Sequence, residues 1–185
     1  MKLSLNYGTD TIEVTIPSER LAGIIQPRES VSQQTEEELV LQALRAPISS
    51  KPLEKIVRRG EKTTIVVPDR TRHCQTRVFL PILVQKLNAC GIADRDIRIL
   101  LANGTHTPHS EKQKIDILGK EIYDRLKVYD HDCRNQKDLV FLGRTARGIP
   151  VYLHKLVVKA ERLIVTGSIL HHYFAGFGGG PKLIN

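Results

Sequence analysis

Polar and apolar residues alternate along Lys2–Tyr7 and again along Thr11–Ile16, on either side of Gly8-Thr9-Asp10. That period-two pattern around a turn predicts an N-terminal β-hairpin. Thr35-Glu36-Glu37-Glu38 has capping-box spacing and opens a predicted helix through about Arg45. Pro52 suits the first position of a short helix ending at Gly60. From there, predicted strands and helices alternate. Thr63–Val67 is a β-branched run, and Thr76–Cys90 carries Phe79, Leu80, Leu83, Val84 and Leu87 at helical spacing before Gly91 stops it. Ile97–Leu101 is the next strand. Thr107-Pro108 reads as the cap and first turn of a helix over 108–118, with His109 on its exposed face. Lys127–His131 reads as a further strand, Val140–Thr145 and Ile149–Leu153 as a second hairpin across Arg147-Gly148, and Leu163–Thr166 as the last strand. The expected class is α/β, a mostly parallel sheet with helices on both faces plus the N-terminal hairpin. No internal repeat is visible.

Composition narrows the function more than the fold. With 185 residues, 41% of them hydrophobic, the chain is long enough for one real core. No apolar run approaches the roughly 20 residues of a membrane span, and the first residues lack a signal peptide's apolar region. A cytoplasmic location without membrane partners is the default expectation. Cys74, Cys90 and Cys133 are widely spaced with no CxxC pair, which reads as incidental thiols. A net charge of +8 invites a nucleic-acid reading. Against it, Lys and Arg are scattered, Trp is absent, and only five Tyr and four Phe are available for stacking. No nucleic-acid partner is expected; small anionic ligands suit the charge equally well.

Three predicted strands end in loops dense with reactive groups, and in open α/β sheets ligands bind beyond the strands' carboxyl ends. Thr63–Val67 leads into Pro68-Asp69-Arg70-Thr71-Arg72-His73, Ile97–Leu101 into Ala102-Asn103-Gly104-Thr105-His106, and Leu163–Thr166 into a loop containing His171, His172 and Gly178-Gly179-Gly180-Pro181-Lys182. In a parallel sheet all three open on one edge. Each has a bland alternative. Asp69 could merely cap the following helix, though an Asp can also orient a neighbour and an Arg can clamp a carboxylate. His106 could simply start a helix, yet histidine is the side chain suited to proton exchange near neutral pH. His171 and His172 should point to opposite sides of an extended segment, one inside the site and one outside. Three glycines before a helix entry allow close approach to a phosphate, but this is not a Walker loop.

Taken together, Asp-x-Thr-Arg after a strand, then Gly-x-His, then His-Tyr-Phe-Ala-Gly-Phe-x-Gly-Gly-x-Lys resemble the nickel-dependent lactate racemase family, with the motif order kept along the whole chain. The resemblance implies an N-terminal catalytic and cofactor-binding domain of a 2-hydroxyacid racemase or epimerase. It implies that Lys182 carries a nickel-pincer nucleotide, a pyridinium-3,5-bisthiocarboxylic acid mononucleotide nickel complex, as a covalent thioamide. It further implies that His106 and His172 are the acid/base pair, that Asp69, Thr71, Gly178, Gly179 and Gly180 border the cofactor, and that Arg72 holds the substrate carboxylate. The family's nickel-ligating histidine and further substrate residues lie beyond Lys182, in a C-terminal domain. The helix entry at the chain's end therefore points to a fragment or truncated product needing that half or a second chain. His73, His171, Gly178 and Pro181 depart from the family's usual residues. Two other readings stand beside this one: a zinc hydrolase using His106, His109, His131 and Asp132, and a nucleotide- or anion-binding domain without turnover.

Overall fold

The computed structural model describes residues 1–25, 32–72, 74–174 and 176–184. It divides into two units, 1–33 and 34–185. The first holds the expected hairpin: β1 (Lys2–Tyr7) pairs antiparallel with β2 (Asp10–Thr15), register Leu3 to Val14 and Leu5 to Ile12.

The second unit is built on a four-stranded parallel sheet. Its strands are β3 (Thr63–Pro68), β4 (Ile97–Ala102), β5 (Lys127–Asp130) and β8 (Arg162–Val165), in the order β5-β4-β3-β8. All six residues of β3 are buried, as a central strand covered on both faces must be. Ile65 and Val67 of β3, with Ile97, Ile99 and Leu101 of β4, face the main core. On that face lie α2 (Thr76–Ala89), α3 (Glu111–Leu118) and α4 (Lys120–Arg125), which contribute Leu80, Leu83, Val84, Leu87, Leu118 and Ile122. The opposite face is covered by the short helix α5 (Lys155–Val158), whose Leu156 carbonyl accepts from the Thr64 hydroxyl at 2.9 Å. The α/β expectation with helices on both faces is borne out.

Local sequence explains the element ends. Thr35 and Glu38 form the anticipated capping box at the start of α1 (Glu36–Arg45). Gly91 takes φ +84° directly after α2, a conformation other residues adopt only with strain. The second hairpin joins β6 (Leu139–Arg144) and β7 (Pro150–His154), with a register shift between Phe141 and Gly143. Three expectations need correction. After Pro52 only one 3-10 turn forms, Leu53–Lys55. The helix expected from Thr107-Pro108 instead begins at Glu111, because Ser110 and Gln113 form a full capping box there, and Gly119 separates it from α4. His109 is therefore not on an exposed helix face: it precedes the helix and is buried. The segment after β8 adds a two-residue pairing of β9 (His171–His172) with β10 (Gly176–Phe177), and the chain's last turn is a 3-10 helix, Gly180–Leu183.

Chain order and sheet order together locate a crevice. β3, β4 and β5 advance in one direction, and β8 is then added on the other side of β3. Such a reversal leaves a gap at the carboxyl ends of the two strands flanking it, here β3 and β8. Packing of the sheet underlies that gap. Ile99→Ala, in a side chain with no solvent exposure, is expected to lower unfolding stability by about 2–5 kcal/mol, measurable by denaturant titration.

Candidate functional site

Register brings the loops level. Pro68 pairs with Ala102 and Val66 with Val165, while Thr166 donates from both N and Oγ1 to the Val66 carbonyl. The loops after β3, β4 and β8 thus leave the sheet at one height and enclose a cleft of about 340 Å³. Of the anticipated residues, Asp69, Arg72, His106, His172, Gly178, Gly179 and Lys182 line it. Thr71 and Gly180 do not. Thr71 stands behind Asp69, bordering a neighbouring groove. His171 also borders the cleft, its ring against Phe177, so the expected split of one histidine inside and one outside is not what forms. His73 and Ala175 lie outside the described residues.

Asp69 and His106 are the tightest pair in the cleft. His106 Nδ1 meets Asp69 Oδ2 at 2.5 Å, and Asp69 Oδ1 accepts from the Thr71 hydroxyl at 2.7 Å and the Thr71 N–H at 3.3 Å. Burial raises the Asp69 carboxyl, but the hydrogen bonds from Thr71 and His106 outweigh it and hold the group below its ordinary value of 3.8. An ionised carboxylate can only accept, so Nδ1 of His106 carries a hydrogen, and in a neutral ring Nε2 is the nitrogen with the lone pair. Asp69 is 5% exposed while the His106 ring is 54% exposed. The carboxylate is thus the buried orienter and the imidazole the accessible partner.

His172 reaches the cleft from the other side of β3. Its ring stacks on Tyr173 at 4.9 Å, and its Nδ1 accepts the Phe174 N–H at 3.2 Å. With Nδ1 accepting, a neutral ring carries its hydrogen on Nε2. As neutral rings the two histidines are therefore opposite tautomers. The lysine loop owes its path to a close approach: a Cβ on Gly179, at φ +79°, would lie 2.5 Å from the Ser168 carbonyl oxygen. Among the described residues, the Arg72 guanidinium and the Lys182 ammonium have no hydrogen-bond or ion-pair partner. Two unpaired cations in one cleft favour an anionic ligand.

The remaining candidates disperse. His109 pairs with Asp130 and His131 packs edge-on to His154 at 5.8 Å, so neither joins His106. Among the described residues no group of three or more His, Cys, Asp or Glu could hold a metal ion. The zinc arrangement of His106, His109, His131 and Asp132 does not assemble. The three cysteines are free thiols, and no helix among the described residues is long and apolar enough to cross a membrane.

A doubly wound sheet carries at its switch point one crevice lined by an Asp-oriented histidine, a second histidine and a lysine, which makes this an α/β domain of the kind that binds small ligands at such a crevice. The chain belongs to the lactate racemase N-terminal domain family, which matches residues 7–185. It is 28% identical over 184 residues to the lactate racemase of Thermoanaerobacterium thermosaccharolyticum and 30% identical over 184 residues to that of Lactiplantibacillus plantarum. Each match covers 98% of this chain but 43% of the relative, so the chain spans less than half the length of the curated relatives it matches. The lactate racemase apoprotein structure from Thermoanaerobacterium thermosaccharolyticum superposes with a TM-score of 0.87 at 29% identity, over 100% of this chain and 43% of that one. A Thermotoga maritima protein shares the fold at TM-score 0.62, over 80% of this chain and 37% of its own, with 22% identity.

The Asp69–His106 contact sets an acid-side limit. Because the folded-state value is depressed, the contribution of this contact to stability is fully present above 3.8 and is lost as pH falls through the lower folded value. A carbon-detected titration should place the Asp69 midpoint below 3.8, and Thr71→Ala should move it upward; an Asp69 midpoint unmoved by Thr71→Ala would contradict the assignment. Separately, Gly179→Ala should disturb the lysine loop while leaving β3 and β4 intact, visible as amide shift changes confined to residues near Ser168 and Lys182.

Proposed function

We propose that this cleft is the N-terminal-domain part of a 2-hydroxyacid racemase or epimerase site, with lactate as the representative substrate. The observation that carries the reading is one cleft holding a carboxylate-oriented histidine, a second histidine of opposite tautomer and an unpaired lysine. Arg72 offers its guanidinium to the substrate carboxylate, for which a planar fork is well matched. His106 Nε2 receives the proton of the C2 hydroxyl as C2 becomes planar. His172 supplies a proton to the same oxygen from the other side when the stereocentre is rebuilt. General acid–base help of this kind contributes ~10²–10⁴-fold.

The residues fit the organic part of a lysine-tethered nickel-pincer nucleotide. Lys182 lines the cleft with no partner among the described residues, and at Gly178, which also lines it, a Cβ would meet only the Leu170 carbonyl at 3.7 Å. When bound, that group supplies reversible acceptance of the C2 hydride. The protein's part is to orient the substrate, move the proton and exclude water. Among the described residues no group of three or more His, Cys, Asp or Glu could hold a metal ion; the nickel ligand and further substrate groups would come from a C-terminal domain or a second chain.

Two measurements test this. Intact mass of protein from a host that makes the cofactor should show an adduct that Lys182→Ala abolishes. Interconversion of D- and L-lactate, with a relative's C-terminal half supplied, should fall by ~10²-fold or more in both directions for His106→Ala and for His172→Ala. Full activity in either histidine variant would remove the assignment.

A further inference from the structure

We infer that His109, anchored by Asp130, is a positioning residue that sets the Asp69–His106 pair in register; its meaning for catalysis rests on the function proposed above. Asp130 ends β5, below the cleft, with its side chain 9% exposed, and the His109 side chain is 2% exposed. Neither lines the cleft. His109 Nε2 accepts the Arg70 N–H at 3.4 Å, so a neutral ring carries its hydrogen on Nδ1, which donates to Asp130 Oδ1 at 2.7 Å. Arg70 directly follows Asp69. The backbone of the Asp69 loop is therefore tied, through one imidazole, to the end of β5.

The same carboxylate reaches the other loop. Asp130 Oδ1 also accepts from Asn103 Nδ2 at 3.0 Å, and the Asn103 carbonyl accepts the His106 N–H at 2.9 Å. Asn103 is 2% exposed and its Oδ1 has no hydrogen-bond partner among the described residues, so the bond to Asp130 is what orients that amide. Lys114 from α3 lies 2.6 Å from Asp130 Oδ2 and balances the charge. Burial raises the Asp130 carboxyl, while Lys114, Asn103 and His109 together hold it below its ordinary value. One ionised group thus braces two loops, one bearing Asp69 and the other His106. Apolar residues could fill this space at less desolvation cost. What the polar brace adds is direction: each arm ends on a backbone group beside a site residue.

Two substitutions separate this role from simple packing. An Asn amide reaches about as far as imidazole Nδ1 and a Gln amide about as far as Nε2. His109→Asn can therefore keep the Asp130 contact but loses the Arg70 acceptor, whereas His109→Gln restores an acceptor there. Arg70 amide hydrogen exchange and the proton signal of His106 Nδ1–H are read by NMR on the unliganded chain. His109→Asn should speed Arg70 exchange at least tenfold and shift the His106 signal, His109→Gln should return both most of the way, and Ile99 and Leu101 amides should not change. Unchanged readings in His109→Asn, or equal disturbance in both variants, would overturn the inference. Should His109→Asn fail to fold, Asn103→Ala decides: the His106 signal should shift while Arg70 exchange stays as in the parent, and an unmoved His106 signal counts against the brace. None of these readings needs turnover. A chain that shows them yet never racemises lactate loses the proposed function and keeps the brace.

Discussion

The parallel pairing of β3 with β4 on one side and β8 on the other is the constraint on which the site depends. Parallel ladders fix strand ends at defined relative heights, so Asp69, Asn103 and Gly167 leave the sheet together. The chain reversal that places β8 beside β3 then prevents one continuous crossover from covering that edge. Burial of all six β3 residues locks the strand between its neighbours, with Ile65 and Val67 packed into the same core as Ile97, Ile99 and Leu101 of β4. The apolar core thus supplies the precision that the polar groups use.

Electrostatics work within that frame. Asp69 is buried and Asp130 half-buried, both beside strand ends, and both carboxylates would be costly without partners. Each has hydrogen-bond donors enough to remain ionised, but they act differently. Asp69 faces a histidine exposed to the cleft, where a fixed tautomer sets which nitrogen can take a proton. Asp130 faces a histidine closed off from the cleft, where a fixed tautomer can only hold backbone in place. Two Asp–His pairs a few residues apart therefore divide chemistry from support, and accessibility is what separates them.

Much of this was legible in the sequence. Period-two and helical patterns located β1 to β5, α2 and the second hairpin, and the placement of Asp69, His106 and Lys182 after strands was enough to predict one edge. What misled was local chemistry with two candidate answers. Thr107-Pro108 and Ser110 both offer a helix start, and the Gln113 side chain settles the choice by returning a bond to the Ser110 N–H. His109 followed that error, since a helix begun at residue 108 puts it in the first turn, on the expected exposed face. Its real signal is Asp130, 21 residues away, a pairing no local pattern can reveal. The β9–β10 pairing was equally hidden, because two-residue strands carry no periodicity.

The glycine-rich end of the cleft shows how steric and electrostatic demands meet in one loop. Gly179 lies so near the Ser168 carbonyl that a side chain cannot fit, and the Gly178 N–H is bonded to the Leu170 carbonyl at 2.7 Å. The loop is thereby folded against the end of β8, and Lys182 enters the cleft from the short 3-10 turn that follows. Arg72 and Lys182 line the same cleft, and neither cation is paired among the described residues. Two cations that line one cleft raise its affinity for anions. The steric fit that requires glycine at position 179 and the charge carried by Lys182 therefore belong to one loop, folded against the end of β8.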